Sequence, residues 1–189
     1  LTAETGLPVW LVGTSRGTES AAYAALHHKA PVAGLVLTST LTVSNDHGVS
    51  VLDLPLGEIS LPVYIAAHRE DACKVTPPAD AGAITLALTG APRVEMGLFE
   101  GGDPPQSGPC DPLCPHGFFG IEQQVVNAIS EGLYIDGFTA SLNMLFCTYN
   151  PNACLWAMTT LTWTPSIGGT WDFGSEGSIV SLNRYYTDS

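Results

Sequence analysis

The alternation of short apolar runs with helical segments is the feature that most restricts how this chain folds. Four runs rich in Val, Leu and Ile have the length of buried strands, and segments of helical composition lie between them. This alternation is typical of an α/β protein with a mostly parallel sheet and helices on both faces. The predicted strands are residues 7–13, 32–40, 61–68 and 93–99; the predicted helical segments are 14–30, 81–92 and 117–130; residues 41–60 are expected to form a loop with a short helix.

The sequence changes character after residue 130. Residues 131–189 contain three of the four tryptophans, few charges, and Gly/Thr/Ser-rich stretches that are typical of short strands and turns. We therefore expect two parts, an α/β part at residues 1–130 and a small β-rich extension of unknown role at residues 131–189.

The composition indicates a packed globular protein and argues against several partners. Hydrophobic residues make up 45% of the chain, charged residues 13%, and the formal net charge is −12. A negative field repels phosphates and anionic lipid, so we expect no nucleic-acid partner and no binding to membrane surfaces. No apolar run reaches about 18 residues, which predicts no membrane span. The first residues contain neither a methionine nor a charged segment, so we expect a signal peptide to be absent or removed.

Ser15 is the first candidate for chemistry. It is the centre of Gly13-Thr14-Ser15-Arg16-Gly17, which fits G-x-S-x-G and lies between a predicted strand and a predicted helix. In this context the motif predicts a nucleophile elbow, a tight strand–turn–helix bend that presents the serine Oγ above the sheet. We expect the two glycines to let the bend close without Cβ clashes, and the amide of Arg16 to face a developing oxyanion. The simpler alternative is an ordinary Gly/Ser loop.

His116 is the best candidate for the base that a nucleophilic serine needs. In this motif class the chain order is serine, acid, histidine, and His116 lies in a late loop just before the last predicted helix. The simpler alternative is a solvated loop histidine. The other histidines lie at the far end of the first helix or between the candidate acids; they are His27, His28, His47 and His68.

Asp71 is the best candidate for the carboxylate that orients the base. It follows the predicted strand 61–68, in a turn at the carboxyl edge where the sites of α/β proteins gather. Glu70 is its neighbour and rival. Asp46 and Asp53, in the loop after the preceding strand, are second choices.

The five cysteines favour disulfides over a metal site. None forms a CxxC pair, and Cys110, Cys114 and His116 form one loose cluster. A zinc site needs about four ligands, so we expect no metal. An odd number of cysteines leaves at least one thiol free or paired between chains.

Four blocks of sequence carry a further signal: GTSRGTESAAYAA, APVAGLVLTSTLT, LPVYIAAHREDACKVTPPADA and PCDPLCPHGFFGIEQQVVNAI. In this order they resemble a family of bacterial α/β-hydrolases of the serine esterase type, over about residues 7–130. The resemblance implies Ser15 as nucleophile, Asp71 as acid and His116 as base. It also implies esterase-like chemistry on small ester or acyl substrates without a cofactor.

The resemblance also gives the cysteines a context. Cys73 lies two residues after the acid and Cys110 six before the histidine. A Cys73–Cys110 disulfide would tie the two triad loops together, which suggests an exported, oxidised protein, secreted or periplasmic. Cys114 is the alternative partner of Cys73, and Cys147 and Cys154 are a candidate pair within the extension. The alternative is that all five thiols are reduced and buried.

The sequence departs from the family pattern before the nucleophile. Only about a dozen residues precede Ser15, whereas such hydrolases place several strands and a loop with the second oxyanion donor there. We therefore expect a missing N-terminal segment or a partner chain that supplies it, and an unpaired edge on a central strand. The extension matches nothing in the family.

These observations predict a serine hydrolase that acts on a small-molecule ester through an acyl-enzyme. The competing hypothesis is a non-catalytic protein on a truncated hydrolase framework, which would bind a partner through an exposed aromatic patch at Trp156, Trp163 and Trp171. A third hypothesis, a metal protein built on the cluster at residues 110–116, would contain stoichiometric zinc.

Overall fold

The computed structural model describes residues 9–28, 32–46 and 48–132, and the backbone of three further strands at 142–150, 155–165 and 171–181. The chain divides into two compact units, Leu1–Ile135 and Asp136–Ser189. The boundary expected from composition lies at residue 131, five residues before the start of the second unit.

The first unit contains a four-stranded parallel sheet, which confirms the predicted α/β class. Its strands pair in the order β1-β2-β3-β4, each parallel to the next. They are β1 (Val9–Thr14), β2 (Val32–Thr38), β3 (Val63–His68) and β4 (Val94–Phe99); the helices are α1 (Gly17–His27), α2 (Ala81–Ala87) and α3 (Glu122–Gly132).

Alternate residues of each strand point to opposite faces of the sheet. Helices pack against both of these faces. Leu35 and Leu37 of β2 pack in a core with residues of α1 and α2, such as Ala22 and Ile84. The intervening Val36 belongs to a second core on the other face. That core contains Tyr64, Ala66, Phe99, Phe118 and Val125, with Ala128 and Ile129 of α3 packed against it.

Two helices are shorter than their sequence patterns indicate. The segment 81–92 is helical only to Ala87, and a turn follows it. In the segment 117–130, α3 begins at Glu122, because Phe118 and Gly120 have φ angles of 59° and 84° that a right-handed helix cannot include. The loop at 41–60 contains two 3-10 helices, Val51–Asp53 and Leu56–Glu58, where one short helix was expected.

β1 is an edge strand within the described residues. It pairs with β2 on one side, and its residues from Val9 to Val12 are only half-buried. The side chains of Trp10, Leu11 and Val12 are apolar, and a strand with this composition is usually covered on both sides.

The second unit contains a three-stranded antiparallel sheet in the order β5-β6-β7. Its strands are β5 (Leu142–Asn150), β6 (Leu155–Pro165) and β7 (Trp171–Ser181). The prediction of a β-rich extension is therefore confirmed, although the strands are longer than the short strands expected. Across the described residues of both units, none of the helices combines the length and the apolar character that crossing a membrane requires.

Candidate active site

All the predicted catalytic residues follow the carboxyl ends of strands in the parallel sheet. Ser15 comes directly after β1, Asp71 three residues after β3, and His116 in the loop that follows β4. Because parallel strands present their carboxyl ends at one edge, the sequence positions alone bring these residues to the same edge of the sheet.

Ser15 occupies a strained elbow between β1 and α1. Its φ angle is 54°, in the left-handed region that residues with a Cβ rarely adopt. Its amide donates a 3.0 Å hydrogen bond to the main-chain oxygen of Thr38 at the end of β2. Its own main-chain oxygen accepts hydrogen bonds from the amide and the hydroxyl of Thr18 in α1. The strand and the helix therefore both hold the bend.

The two glycines of the motif have different roles. A Cβ on Gly13 would lie 2.5 Å from the main-chain oxygen of Gly17, so only glycine fits where the helix approaches the strand. Apart from its chain neighbours and the backbone of α1, a Cβ on Gly17 would meet no atom of the described residues within 4 Å. The expectation that both glycines prevent Cβ clashes therefore holds for Gly13 and is wrong for Gly17.

Asp71 and His116 form a buried pair. The Nδ1 atom of His116 lies 2.9 Å from the Oδ2 atom of Asp71, and their side chains are 4% and 1% exposed. A carboxylate only accepts hydrogen bonds, so His116 donates through Nδ1–H, which in a neutral imidazole leaves the lone pair on Nε2. This is the tautomer in which an imidazole can take a proton from a serine.

Two further donors hold the Asp71 carboxylate. The amide of Cys73 donates to Oδ1 over 2.9 Å, and the hydroxyl of Thr76 donates to Oδ2 over 3.0 Å. The same hydroxyl lies 3.1 Å from Nδ1 of His116. Both carboxylate oxygens are therefore hydrogen-bonded although the group is buried, which lowers the cost of burying it.

Ser39 holds the main chain of His116. Its hydroxyl donates a 2.7 Å hydrogen bond to the main-chain oxygen of His116, and its amide donates to the main-chain oxygen of Ala66 in β3. Ser39 follows Thr38, the residue whose oxygen accepts from the Ser15 amide. Consecutive residues at the end of β2 thus anchor both Ser15 and His116.

The structure pairs Asp71 with His116 but forms no hydrogen bond between Ser15 and His116. None of the hydrogen bonds between described residues uses Ser15 Oγ, His116 Nε2 or the amide of Arg16. Ser15 is half-buried and Arg16 exposed. In unliganded enzymes the nucleophile–base bond is often long, and it tightens when substrate binds.

The rival acids lie elsewhere. Glu70, Asp46 and Asp53 are exposed, and Asp53 accepts a hydrogen bond from the Ser44 hydroxyl. Of these four carboxylates, Asp71 is the one that is hydrogen-bonded to a histidine.

The rival histidines also have other surroundings. His27 is exposed at the end of α1, where it is stacked on Tyr23. His68 is buried, with Nε2 2.9 Å from the main-chain oxygen of Gly101 and Nδ1 accepting from the amide of Glu70. His28 is exposed, and His47 lies outside the described residues.

The disulfide expected between Cys73 and Cys110 is present, and Cys114 is a buried free thiol. The bond joins the turn that carries Asp71 to the loop that carries His116. In the disulfide, Cys110 is not available as the zinc ligand that the zinc hypothesis requires. The Nδ1 atom of His116, another residue of that cluster, is hydrogen-bonded to Asp71.

Two expectations for the extension fall outside the described side chains. The side chains of Trp156, Trp163 and Trp171 are not described, so the aromatic patch of the binding-protein hypothesis stays a prediction. The same applies to the proposed pairing of Cys147 with Cys154.

Sequence reasoning missed Thr76, Ser39 and Thr18. Each is buried and bonds to a predicted catalytic residue through its hydroxyl. Hydroxyl residues are common in turns and strand ends, so no pattern separates these three from their neighbours. The one available signal was that Ser39 and Thr76 lie near the carboxyl ends of predicted strands.

No family model matches this chain, and no curated protein matches it. Two of the solved structures that resemble it are as follows. One is TT1662 from Thermus thermophilus, with 17% identity and a TM-score of 0.48, covering 71% of this chain and 58% of that one. The other is MGS-MChE2, an α/β hydrolase enzyme from the metagenome of sediments of the lagoon of Mar Chica, Morocco, with 19% identity and a TM-score of 0.45. It covers 69% of this chain and 64% of its own.

This chain therefore spans less than two thirds of the length of either structure. A likeness at this identity concerns the fold alone.

Proposed function

We propose that this chain is a serine hydrolase that cleaves small ester or acyl substrates with Ser15, His116 and Asp71. The observation that carries the proposal is the buried hydrogen bond from His116 Nδ1–H to Asp71 Oδ2 at the sheet edge where the strained Ser15 elbow lies. A buried carboxylate–imidazole pair at the same sheet edge as a serine held in the left-handed region is the arrangement that acyl transfer requires.

The reaction proceeds in two steps. Ser15 Oγ attacks the ester carbonyl while His116 Nε2 takes its proton, and His116 then returns this proton to the leaving alcohol. A water then attacks the acyl-enzyme, again with His116 as base and acid, and the carboxylic acid product leaves Ser15 free. Asp71 remains ionised throughout and stabilises the imidazolium that forms.

The backbone amide of Arg16 supplies one half of the oxyanion hole. It is the first amide after the nucleophile, and no described group accepts a hydrogen bond from it. In hydrolases with this motif a loop that precedes the nucleophile supplies a second donor. Removing one oxyanion donor typically costs about 2.7–4 kcal/mol in barrier.

We assign this chemistry to residues 1–130 and give residues 131–189 no part in it. The Cys73–Cys110 bond supports an oxidising compartment, so we further propose that the protein acts outside the cytosol.

The test is covalent labelling of the purified chain with a fluorophosphonate, mapped by mass spectrometry. We expect labelling at Ser15, none in Ser15→Ala, and a strongly reduced rate in His116→Gln. Ser20→Ala and His27→Gln are the matched controls, because both residues are exposed on α1 and neither is hydrogen-bonded to Ser15, Asp71 or His116. They should label like the parent chain.

The labelling experiment can also contradict the proposal. A folded sample that is not labelled at Ser15, or that is labelled equally well in His116→Gln, would exclude the mechanism for this chain.

A further inference from the structure

Thr76 lies in the turn that follows Asp71 and is 2% exposed. The turn is closed by an amide hydrogen bond from Thr76 to the main-chain oxygen of Cys73, whose amide in turn donates to Asp71 Oδ1. The disulfide from Cys73 ties this turn to the His116 loop. The backbone of Thr76 is therefore held independently of its side chain.

The Thr76 hydroxyl completes a triangle of three polar atoms that lie within hydrogen-bond distance of one another. It lies 3.0 Å from Asp71 Oδ2 and 3.1 Å from His116 Nδ1, and these two atoms lie 2.9 Å from each other. These three atoms share two hydrogens, one on the Thr76 hydroxyl and one on Nδ1. The hydroxyl donates to the carboxylate, so its lone pairs face Nδ1–H.

This arrangement discriminates between the two tautomers of His116. With the proton on Nδ1, that N–H faces two acceptors, the carboxylate and the hydroxyl oxygen. With the proton on Nε2, the Nδ1 lone pair would face the carboxylate, and the one hydroxyl hydrogen would have to serve both acceptors. The hydroxyl therefore favours the tautomer whose Nε2 can act as a base.

We infer that Thr76 is a positioning residue, which holds the His116 ring and its Nδ1–H tautomer through a shared hydrogen bond with Asp71. The inference rests on the proposed function, because Thr76 acts on the reaction only through His116. It extends the Ser15–His116–Asp71 set by one residue that touches neither substrate nor the reacting atoms.

The test compares Thr76→Val with Thr76→Ser and Thr40→Val. Valine keeps the shape of threonine but has no hydroxyl, and serine keeps the hydroxyl. Thr40 is the matched control: it is buried, lines the same small cavity as Thr76, and its hydroxyl has no hydrogen-bond partner among the described residues. Thr40→Val therefore makes the same Thr-to-Val substitution nearby without removing a hydrogen bond to Asp71 or His116.

The first measurement is the rate of fluorophosphonate labelling at Ser15 as a function of probe concentration. Since a hydrogen bond to a charged group contributes strongly, we expect the maximal rate to fall about tenfold in Thr76→Val with unchanged half-saturation. Thr76→Ser and Thr40→Val should label like the parent chain. A parent-like rate in Thr76→Val, or an equal loss in Thr76→Ser, would overturn the inference and leave the proposed function intact.

The second measurement does not require activity. The proton NMR resonance of His116 Nδ1–H, identified by its loss in His116→Gln, should move or broaden in Thr76→Val and return in Thr76→Ser. If the parent chain is not labelled, the proposed function fails, and this resonance still decides whether Thr76 positions the ring. An unchanged resonance in Thr76→Val would overturn that role. Should Thr76→Val not fold, Thr76→Ala provides the same comparison.

Discussion

The hydroxyl of Ser39 donates a 2.7 Å hydrogen bond to the main-chain oxygen of His116, across 77 residues of sequence. Ser39 has a φ angle of 44°, which is costly for a residue with a Cβ. Its amide bond to Ala66 continues the β2–β3 ladder by one residue beyond the strand. The end of β2 therefore positions the histidine loop directly.

We expect Ser39→Ala to lower the free energy of unfolding by about 1–3 kcal/mol, because the exchange leaves the buried main-chain oxygen of His116 without its donor. Urea unfolding measures the effect. Ser20→Ala, an exposed serine of α1, is the control and should change stability by less than about 0.5 kcal/mol. Equal effects of the two exchanges would show that the Ser39 bond contributes nothing.

Gly13 and Gly17 should respond differently to alanine. Gly13→Ala forces the main chain of α1 away from β1, since the new Cβ would lie 2.5 Å from the Gly17 oxygen, and we expect a loss of about 1–3 kcal/mol. Gly17→Ala adds a methyl group in open space and should stay within about 1 kcal/mol of the parent chain. Thermal unfolding compares the pair; similar melting temperatures for both would contradict the packing of the elbow.

We predict that the Cys73–Cys110 bond both stabilises the first unit against unfolding and increases the rate of labelling at Ser15. It closes a loop between cysteines 37 residues apart, for which the typical contribution is about 2–4 kcal/mol. We expect the double exchange Cys73→Ser, Cys110→Ser to lose this amount in urea unfolding and to slow labelling at Ser15. Cys114→Ser is the control, because this buried thiol is free. A double variant as stable as the Cys114→Ser control would argue against the bond.

Tyr64 should make the protein less stable in alkali. Burial raises the pKa of Tyr64 above its ordinary value of 10.0, and the nearby carboxylates of Glu95 and Glu131 raise it further. The unfolded chain then loses the proton more readily than the folded one, so the free energy of unfolding falls as pH rises above about 10. In Tyr64→Phe this fall should be smaller.

Tyr23→Phe is the matched control for Tyr64, because Tyr23 is 56% exposed. Its stability should follow the pH dependence of the parent chain. If Tyr64→Phe followed that same curve, ionisation of Tyr64 would not be linked to unfolding.

The class of the fold could be predicted from the chain because burial on both faces of a parallel strand demands an unbroken apolar run. Val63–His68 is such a run, and the structure forms β3 there. Helix ends were less predictable. From composition, the last helix is predicted to begin at residue 117. In the structure it begins at Glu122, because Phe118 and Gly120 adopt left-handed conformations. These conformations result from packing, which composition alone does not predict.

By itself, the sequence determined the strand–helix alternation, the elbow at Ser15 and the order of serine, acid and histidine along the chain, because these depend on neighbouring residues. The catalytic roles stay predictions. Only the tertiary structure decided that Asp71 rather than Asp46 or Asp53 contacts His116, and that hydroxyl groups of Thr76 and Ser39 hold the pair. These contacts join loops that are 40 to 77 residues apart. Their geometry is set by how the ends of parallel strands converge, which no local pattern encodes.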